Sequence, residues 1–503
     1  MPKPFDFGSV AIDVTPQTQK SALVVDPETP FRILILGDFS GRANRNVTET
    51  IGSRRPVPID RDNFDQVLAR LSPSLRLTVA EGQQIEFRFA ALDDFHPDHL
   101  LARVAGLRAL WQMRKALEDP ATFRAAAARL QPAPEPPAER PTPPPVLDLA
   151  GGSLLDQVIA GSEGEPPGRP QRSHDPLAAY IAAVVKPHLV PKPDPKQTEM
   201  VAQFDAAIAG HLRAILHHRE FQALEAAWRG LYFLAQEVET NSQLKIYLLD
   251  VSLAELAADF GSADDLKATA LYRLLIEETV RTPGAAPWAV IGGNYQFDHS
   301  LVNIELLCRM ALLASQAGAP FLAAASPRVV GCPDFGSSPD PAEWKPDNTA
   351  NWEFLRSFPE ASWLGLTLPR FLLRLPYGKG GSSVDFMPFE EMAPAPRHDD
   401  YLWGNGMFAA MLLIARAFSE RGWAGRPGLL QDLDGMPVHI YEKDGEPCMK
   451  PCAEAWITET AAERIIENGL MPLLSFKDQN RIRVAGFRSV AKPPRPLEGR
   501  WQQ

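Results

Sequence analysis

Four groups of residues in this chain have types and spacings that could do chemistry. GDFSGR (37–42) places Ser40 between Gly37 and Gly41 directly after an apolar run, the setting of a nucleophile or a phosphate loop. It fits neither G-x-S-x-G nor G-x4-G-K-[ST], so it reads as a capped strand-to-loop turn. His217 and Glu220 stand three apart, with His211, His218 and Glu225 nearby, and a helix can hold a metal at that spacing. The H-E-x-x-H pattern is absent, and polar rings at a helix boundary near Arg219 are the simpler reading. Asn294, Tyr295, Asp298 and His299 follow the strand-like WAVIGG. Active sites of α/β proteins often lie after such strands, although Asp298 could equally cap the next helix. Cys448 and Cys452 form C-x3-C without a second pair, short of the four ligands of a closed zinc site. No group unites a nucleophile, a base and an oxyanion donor. No catalytic, cofactor or metal residue is assigned.

The elements that must position these groups follow from periodicity. In the first part, RILILG (32–37) is a short apolar strand and 59–71 a helix with Phe64, Val67, Leu68 and Leu71 on one stripe. Residues 75–89 alternate as a hairpin with EGQQ at its tip, and 96–117 is a longer helix opened by Pro97. The second part alternates helices and strands, which predicts an α/β class. Helices are expected at 199–216, 220–238, 265–281, 299–317, 401–421 and 459–468. Strands are expected at 244–250, 288–292, 320–326, 363–368, 437–441 and 470–476. Trp228 shares a stripe with Phe221, Leu224 and Leu231 and reads as core, and Tyr401, Trp403 and Asn405 read as anchors heading a helix. Thr458 is a candidate N-cap and Gly469 a left-handed stop.

Prolines, 48 in all, divide the chain because they gather in QPAPEPPAERPTPPP (131–145) and recur through 161–197. Proline lacks the amide donor and fixes φ, so these stretches read as extended linker. The expected divisions are an arm at 1–29, a small αβ domain at 30–130, linker at 131–197, a larger α/β domain at 198–480 and an arm at 481–503. Both arms carry strand-like alternation without a sequence-local partner: Val10, Ile12 and Val14 at one end, and Ile482, Val484, Phe487 and Val490 at the other. Edge strands of that kind attract other chains, the alternative being that both ends fold back on their own protomer. Within the linker, SLLDQVIAG (153–161) puts Leu154, Leu155, Val158 and Ile159 on one helical face, a pattern that docks into grooves.

Net charge is −11, which gives no footprint for nucleic acid. No signal peptide opens the sequence and no apolar run is long enough to span a membrane. Four cysteines in 503 residues fit a reducing cytosol.

Several words in this sequence are not generic. HHREFQALEAAWRGLYFLA (217–235), LKIYLLDVSLAELAADF (244–260), TPGAAPWAVIGGNYQFDH (282–299), WLGLTLPRFLLRLPYG (363–378), YLWGNGMFA (401–409) and ENGLMPLLSF (467–476) come in order. This succession resembles the large subunit of the contractile sheath of the type VI secretion system. PFRILILGDFSGR (30–42), PVPIDRDNFDQVLARLSPSLRL (56–77) and ALDDFHPDHLLARV (91–104) resemble its small subunit. The chain therefore looks like a fusion of the two. The resemblance implies a bacterial cytoplasmic homopolymer, a helical tube around an inner tube of ring proteins, anchored on baseplate components. It also implies donated terminal strands, contraction that propels the inner tube, and disassembly by an AAA+ ATPase. In the family, the helix matching Leu154, Leu155, Val158 and Ile159 is what that ATPase recognises. No cofactor, nucleic acid or membrane insertion is implied. The rival readings are an α/β enzyme centred on Asn294–His299 and a sheath-like scaffold that does not contract.

Overall fold

Phe31–Gly37 (β1) buries side chains on both faces, with Ile33, Leu34, Ile35 and Leu36 fully enclosed. An apolar run closed on both faces is a central strand and needs a partner on each edge. The computed structural model, which describes residues 26–78, 84–130, 195–263, 265–338, 340–345, 349–392 and 396–501, shows where those partners come from. The other strands of the first part are Val57–Ile59 (β2), Ser74–Thr78 (β3) and Gln84–Arg88 (β4). None of them pairs with β1. Its neighbours are Leu244–Asp250 (β5) and Val290–Phe297 (β6), both parallel to it.

The remaining strands are Phe321–Ala325 (β7), Leu364–Leu368 (β8), Phe371–Leu372 (β9), Trp403–Gly404 (β10), Asp432–Leu433 (β11), His439–Lys443 (β12), Glu446–Lys450 (β13), Met471–Ser475 (β14) and Ile482–Val484 (β15). Nine strands form one sheet in the order β11-β15-β14-β8-β7-β6-β1-β5-β2. It is parallel from β14 to β5 and antiparallel at both ends. Helix Leu301–Ala317 packs with Leu34 and Leu36 on one face. Helix Met407–Arg421 covers the other, where Met407 Sδ would lie 2.7 Å from a Cβ on Gly292. Helix Arg219–Glu237 crosses Met407–Arg421 so closely that a Cβ on Gly230 would meet the Phe408 ring at 2.4 Å.

The expected division between 30–130 and 198–480 therefore does not hold as a boundary between folds. Among the described residues, those up to Arg108 join those from Ala207 onward in one compact unit, and those between Ala109 and Ala206 belong to a second. The reason is β1, which its own segment cannot satisfy. Within the second unit Arg114 pairs with Asp205 at 2.8 Å, and Gln197 Nε2 donates to the Leu117 and Glu118 carbonyls.

The C-terminal expectation also needs correction. The strand foreseen over 482–490 is only Ile482–Val484, and β15 pairs with β14 and β11 of its own chain. Ile482, Val484 and Val490 are buried there and Phe487 is half-buried. Asp478 takes a left-handed φ of 58° just after β14, so the chain reverses onto the nearest free edge. Val10, Ile12, Val14, Leu154, Leu155, Val158 and Ile159 lie outside the described residues.

Smaller differences have local causes. The helix expected at 96–117 is two, Pro97–Arg103 and Ala105–Glu118, because Val104 turns extended to bury its side chain. The stretch 265–281 breaks into short 3-10, α and π turns. The helix expected from 401 begins at Met407, after β10 and an Asn405 side chain that accepts from the Met407 amide. Thr458 does cap Glu459–Glu467, and Gly469 does adopt a positive φ of 79°.

Candidate functional site: a seam between two segments and an open hairpin

At the C-terminal ends of β1 and β5 the chain assembles a buried ionic seam. The turn after β1 wraps the Asp250 carboxylate, to which the Phe39 and Ser40 amides donate at 2.8 and 3.2 Å. Arg42 Nη1 donates to the other oxygen at 2.6 Å. Burial pushes the Asp250 carboxyl up, against the pull of Arg42 and the two amides. This is how the structure uses GDFSGR: its loop cradles an internal carboxylate, and Ser40 is buried beside it.

Glu255 is the second anchor. It closes a capping box with Ser252 at the start of Leu253–Gly261 and accepts from the Glu49 amide at 3.0 Å. Arg54 grips it bidentately at 2.6 and 2.8 Å. Burial works against its charge, but Arg54 and the Ser252 and Glu49 amides hold the carboxyl down to about 2. Bidentate arginine–carboxylate pairs fix geometry as well as charge. Around this seam Trp228 Nε1 donates to the Phe39 carbonyl at 2.8 Å, and its ring meets Phe39 and Phe64 edge-on.

A second buried network ties helix Arg219–Glu237 to the loop after β9. Glu225 accepts from Arg229 and Arg374, each at 2.7 Å, and Arg374 also grips Glu391 at 2.7 and 3.0 Å. Arg229 donates to the Tyr377 hydroxyl, over whose ring Arg374 lies at 4.0 Å. Burial opposes the Glu225 charge, yet Arg374 and Arg229 hold it below the usual carboxylate range. Two acids against two guanidiniums make this a balanced cluster, as buried charges must be.

The groups singled out in the sequence do not converge into a reactive centre. Asn294 and Tyr295 lie inside β6, which runs further than expected, and the buried Tyr295 hydroxyl donates to the Val251 carbonyl at 2.6 Å. Asp298 accepts from the Ser300 amide and from Asn303, so it organises the start of Leu301–Ala317. The His299 carbonyl accepts from Asn351. His217 faces Asp400 at 3.3 Å and Glu391 at 3.8 Å, away from Glu220, while His218 caps the helix. Cys448 and Cys452 are free thiols; Cys452 is buried, which pushes it up to about 11, far from a ligating thiolate.

One cluster went unseen in the sequence. Asp334, His398 and Glu454 bring ligand atoms within 4.8 Å of one another. A cation fits it poorly, because His398 Nε2 already meets Glu454 at 3.0 Å while Arg370 and Lys450 bring two positive charges. Burial opposes the Glu454 charge, but Arg370 and His398 hold its carboxyl down to about 2. Three distant stretches meet here, and no local spacing announces it.

The hairpin β12–β13 is the open counterpart of the seam. It pairs only with itself, leaving both outer edges unpaired among the described residues. Ile440 on β12 is 66% exposed. The ends of the main sheet offer less, since β2 has three residues including Pro58 and β11 has two.

Comparison with known proteins gives these two regions a context. Residues 198–491 match the VipB family, described as EvpB/VC_A0108, tail sheath N-terminal domain. Residues 10–128 match a second family, described as Type VI secretion system, VipA, VC_A0107 or Hcp2. A curated relative, the Type VI secretion system sheath protein TssC1 of Pseudomonas aeruginosa, is 34% identical over 306 residues. That alignment covers 58% of this chain and 61% of the relative, so the chain spans about three fifths of the relative's length. Arg42, Glu49 and Arg54 fall in the VipA-like segment and Asp250 and Glu255 in the VipB-like one, so the ionic seam joins the two.

Proposed function

This chain belongs to the type VI secretion tail sheath family, with small-subunit and large-subunit segments in one chain, and from that premise we propose that it is a contractile sheath protomer. Copies stack head to tail into a helical tube, the outcome of a heterologous interface that does not close. The tube surrounds an inner tube of ring proteins and stands on baseplate components in the bacterial cytoplasm. Its contraction drives the inner tube outward. The role is mechanical and the protomer has no catalytic residues. No helix among the described residues is long and apolar enough to cross a membrane.

The observation that carries this reading is the placement of β1 between β5 and β6. It ties the two segments into one sheet, a link that a lattice transmitting force requires. Neighbours are tied by strand addition: Val10, Ile12 and Val14 of one copy pair along an open edge of β12–β13 in the next. Main-chain hydrogen bonds supply the affinity and alternating side chains the register. Leu154, Leu155, Val158 and Ile159 form the helix that a disassembly ATPase of the AAA+ class recognises after contraction.

Negative-stain electron microscopy of the purified chain near neutral pH tests this. The expected result is tubes or stacked rings for the full chain and mostly single particles for a variant lacking residues 1–20. Full-length tubes from the truncated variant would refute strand donation from that end. Particles of uniform small size from the full chain, even with inner-tube and baseplate proteins present, would refute the sheath reading.

A further inference from the structure

We propose that Lys450 is an acylation site, an amine activated by the Glu454–His398 pair and open to small activated acyl donors. The geometry is a linear relay. Lys450 ends β13, and its Nζ stands 3.0 Å from His398 Nδ1. An ammonium can only donate, so Nδ1 accepts and the ring carries its proton on Nε2. Nε2 in turn donates to Glu454 Oε1 at 3.0 Å. Glu454 is itself fixed by Arg370, whose Nε and backbone amide meet Oε2 at 3.0 and 3.1 Å. A nucleophile in hydrogen-bond reach of a base that a third group orients is the general arrangement of an activated nucleophile.

Access and environment fit the same role. An open cavity of about 1080 Å³ is lined by Lys450, His398 and Glu454 together with Tyr441, Met449 and Trp456. The His398 ring stacks on Trp403, and Lys450 Nζ lies 5.2 and 5.3 Å from the Tyr401 and Trp403 ring centroids. Burial lowers the Lys450 amine below its ordinary value, although the Glu454, Asp334 and Asp399 carboxylates facing it pull the other way. His398 Nδ1, at 3.0 Å, is placed to take a proton from this amine.

The step balances as follows. One ammonium proton passes to His398 Nδ1, and the imidazolium so formed is stabilised by Glu454. The neutral amine attacks the acyl carbon of an acyl phosphate or a thioester, forming the N–C bond. The carbonyl electron pair moves to oxygen and returns as the C–O or C–S bond of the donor breaks. The leaving phosphate or thiolate carries away the bonding pair, the second amine proton passes to solvent water, and His398 returns its proton to solvent. The product amide is uncharged, so the ammonium–imidazole hydrogen bond and the ring contacts at the base of the hairpin are lost.

The test is acetylation of the full chain by acetyl phosphate and, separately, by acetyl-CoA, with each lysine quantified by peptide mass spectrometry. Lys443 and Lys477 are exposed and serve as internal references. At neutral pH Lys450 is expected to react about a hundredfold faster than either, the low side of general-base assistance. Its rate should level off at a lower pH than theirs. His398→Gln should bring Lys450 down to the reference rate while leaving Lys443 and Lys477 unchanged. If that variant does not fold, the pH profile of the unaltered chain decides alone. Faster reaction with one donor only upholds the site and identifies the donor class. Reaction of Lys450 no faster than Lys443 with both donors, across about pH 6 to about pH 9, would overturn the proposal.

Discussion

The ionic seam and the β12–β13 hairpin bring different kinds of pairing to one fold. At the seam the strand edges and the carboxylates find their partners inside the chain: β1 has strands on both edges, Asp250 has three donors, and Glu255 has Arg54 and a capping box. At the hairpin two strands satisfy each other and leave their outer edges open. A buried carboxylate without donors is costly, whereas an exposed edge can wait for a partner. The contrast separates what builds the protomer from what can link protomers, and substitutions should fall into two classes accordingly.

The largest effect is expected at the seam. Glu255→Ala leaves Arg54 with only the exposed Glu49 carboxylate at 3.5 Å, and breaking a buried pair from one side costs about 3–5 kcal/mol. Thermal unfolding should show the loss in a single transition, because both segments share the sheet. The seam should also set acid stability. Glu255 at the seam, and Glu454 in the separate cluster with His398, are both held down to about 2, from an ordinary value of 4.5. A depressed folded value gives stability that is complete above the unfolded value and lost as pH falls through the folded one. The melting temperature should therefore hold steady above about pH 5 and fall from there toward about pH 2, with a shallower fall in Glu255→Gln. Equal slopes in the two proteins would remove Glu255 from the account.

A middle effect is expected where helices cross. Gly230→Val must push the Phe408 ring, which a Cβ would meet at 2.4 Å, and overpacking of this kind costs about 1–3 kcal/mol. The smallest stability effect belongs to the hairpin. Ile440→Lys at a position 66% exposed should change unfolding by less than about 0.5 kcal/mol. The same substitution should reduce the length or yield of tubes in electron micrographs. A stability loss as large as that at Gly230 would mean that the hairpin belongs to the core and the contrast is false.

Much of this architecture was legible locally. The apolar stripes on Arg219–Glu237 and Phe64–Leu71, the hairpin at 74–88, the Thr458 cap and the Gly469 stop all rest on spacings of a few residues. What escaped was addressed at long range. RILILG reads as a buried strand, but nothing in those six residues says that its neighbours lie beyond residue 240. IRVAGFRSV alternates as a free arm would, yet the turn at Asp478 brings it back to β14. β2 hides behind Pro56 and Pro58, which argue against a strand except at an edge, where it lies. The Lys450–His398–Glu454 relay draws on two stretches, 450–454 and the turn holding His398, each unremarkable alone.

The most direct test of the central claim is to cut the chain between its two segments. A protease site placed within 131–194 would be cleaved in the folded protein, and the products passed over a sizing column. Shared β1–β5 and β1–β6 pairing predicts that the two pieces co-elute and unfold together in one transition. Separation into two folded pieces, each with its own transition, would contradict the account.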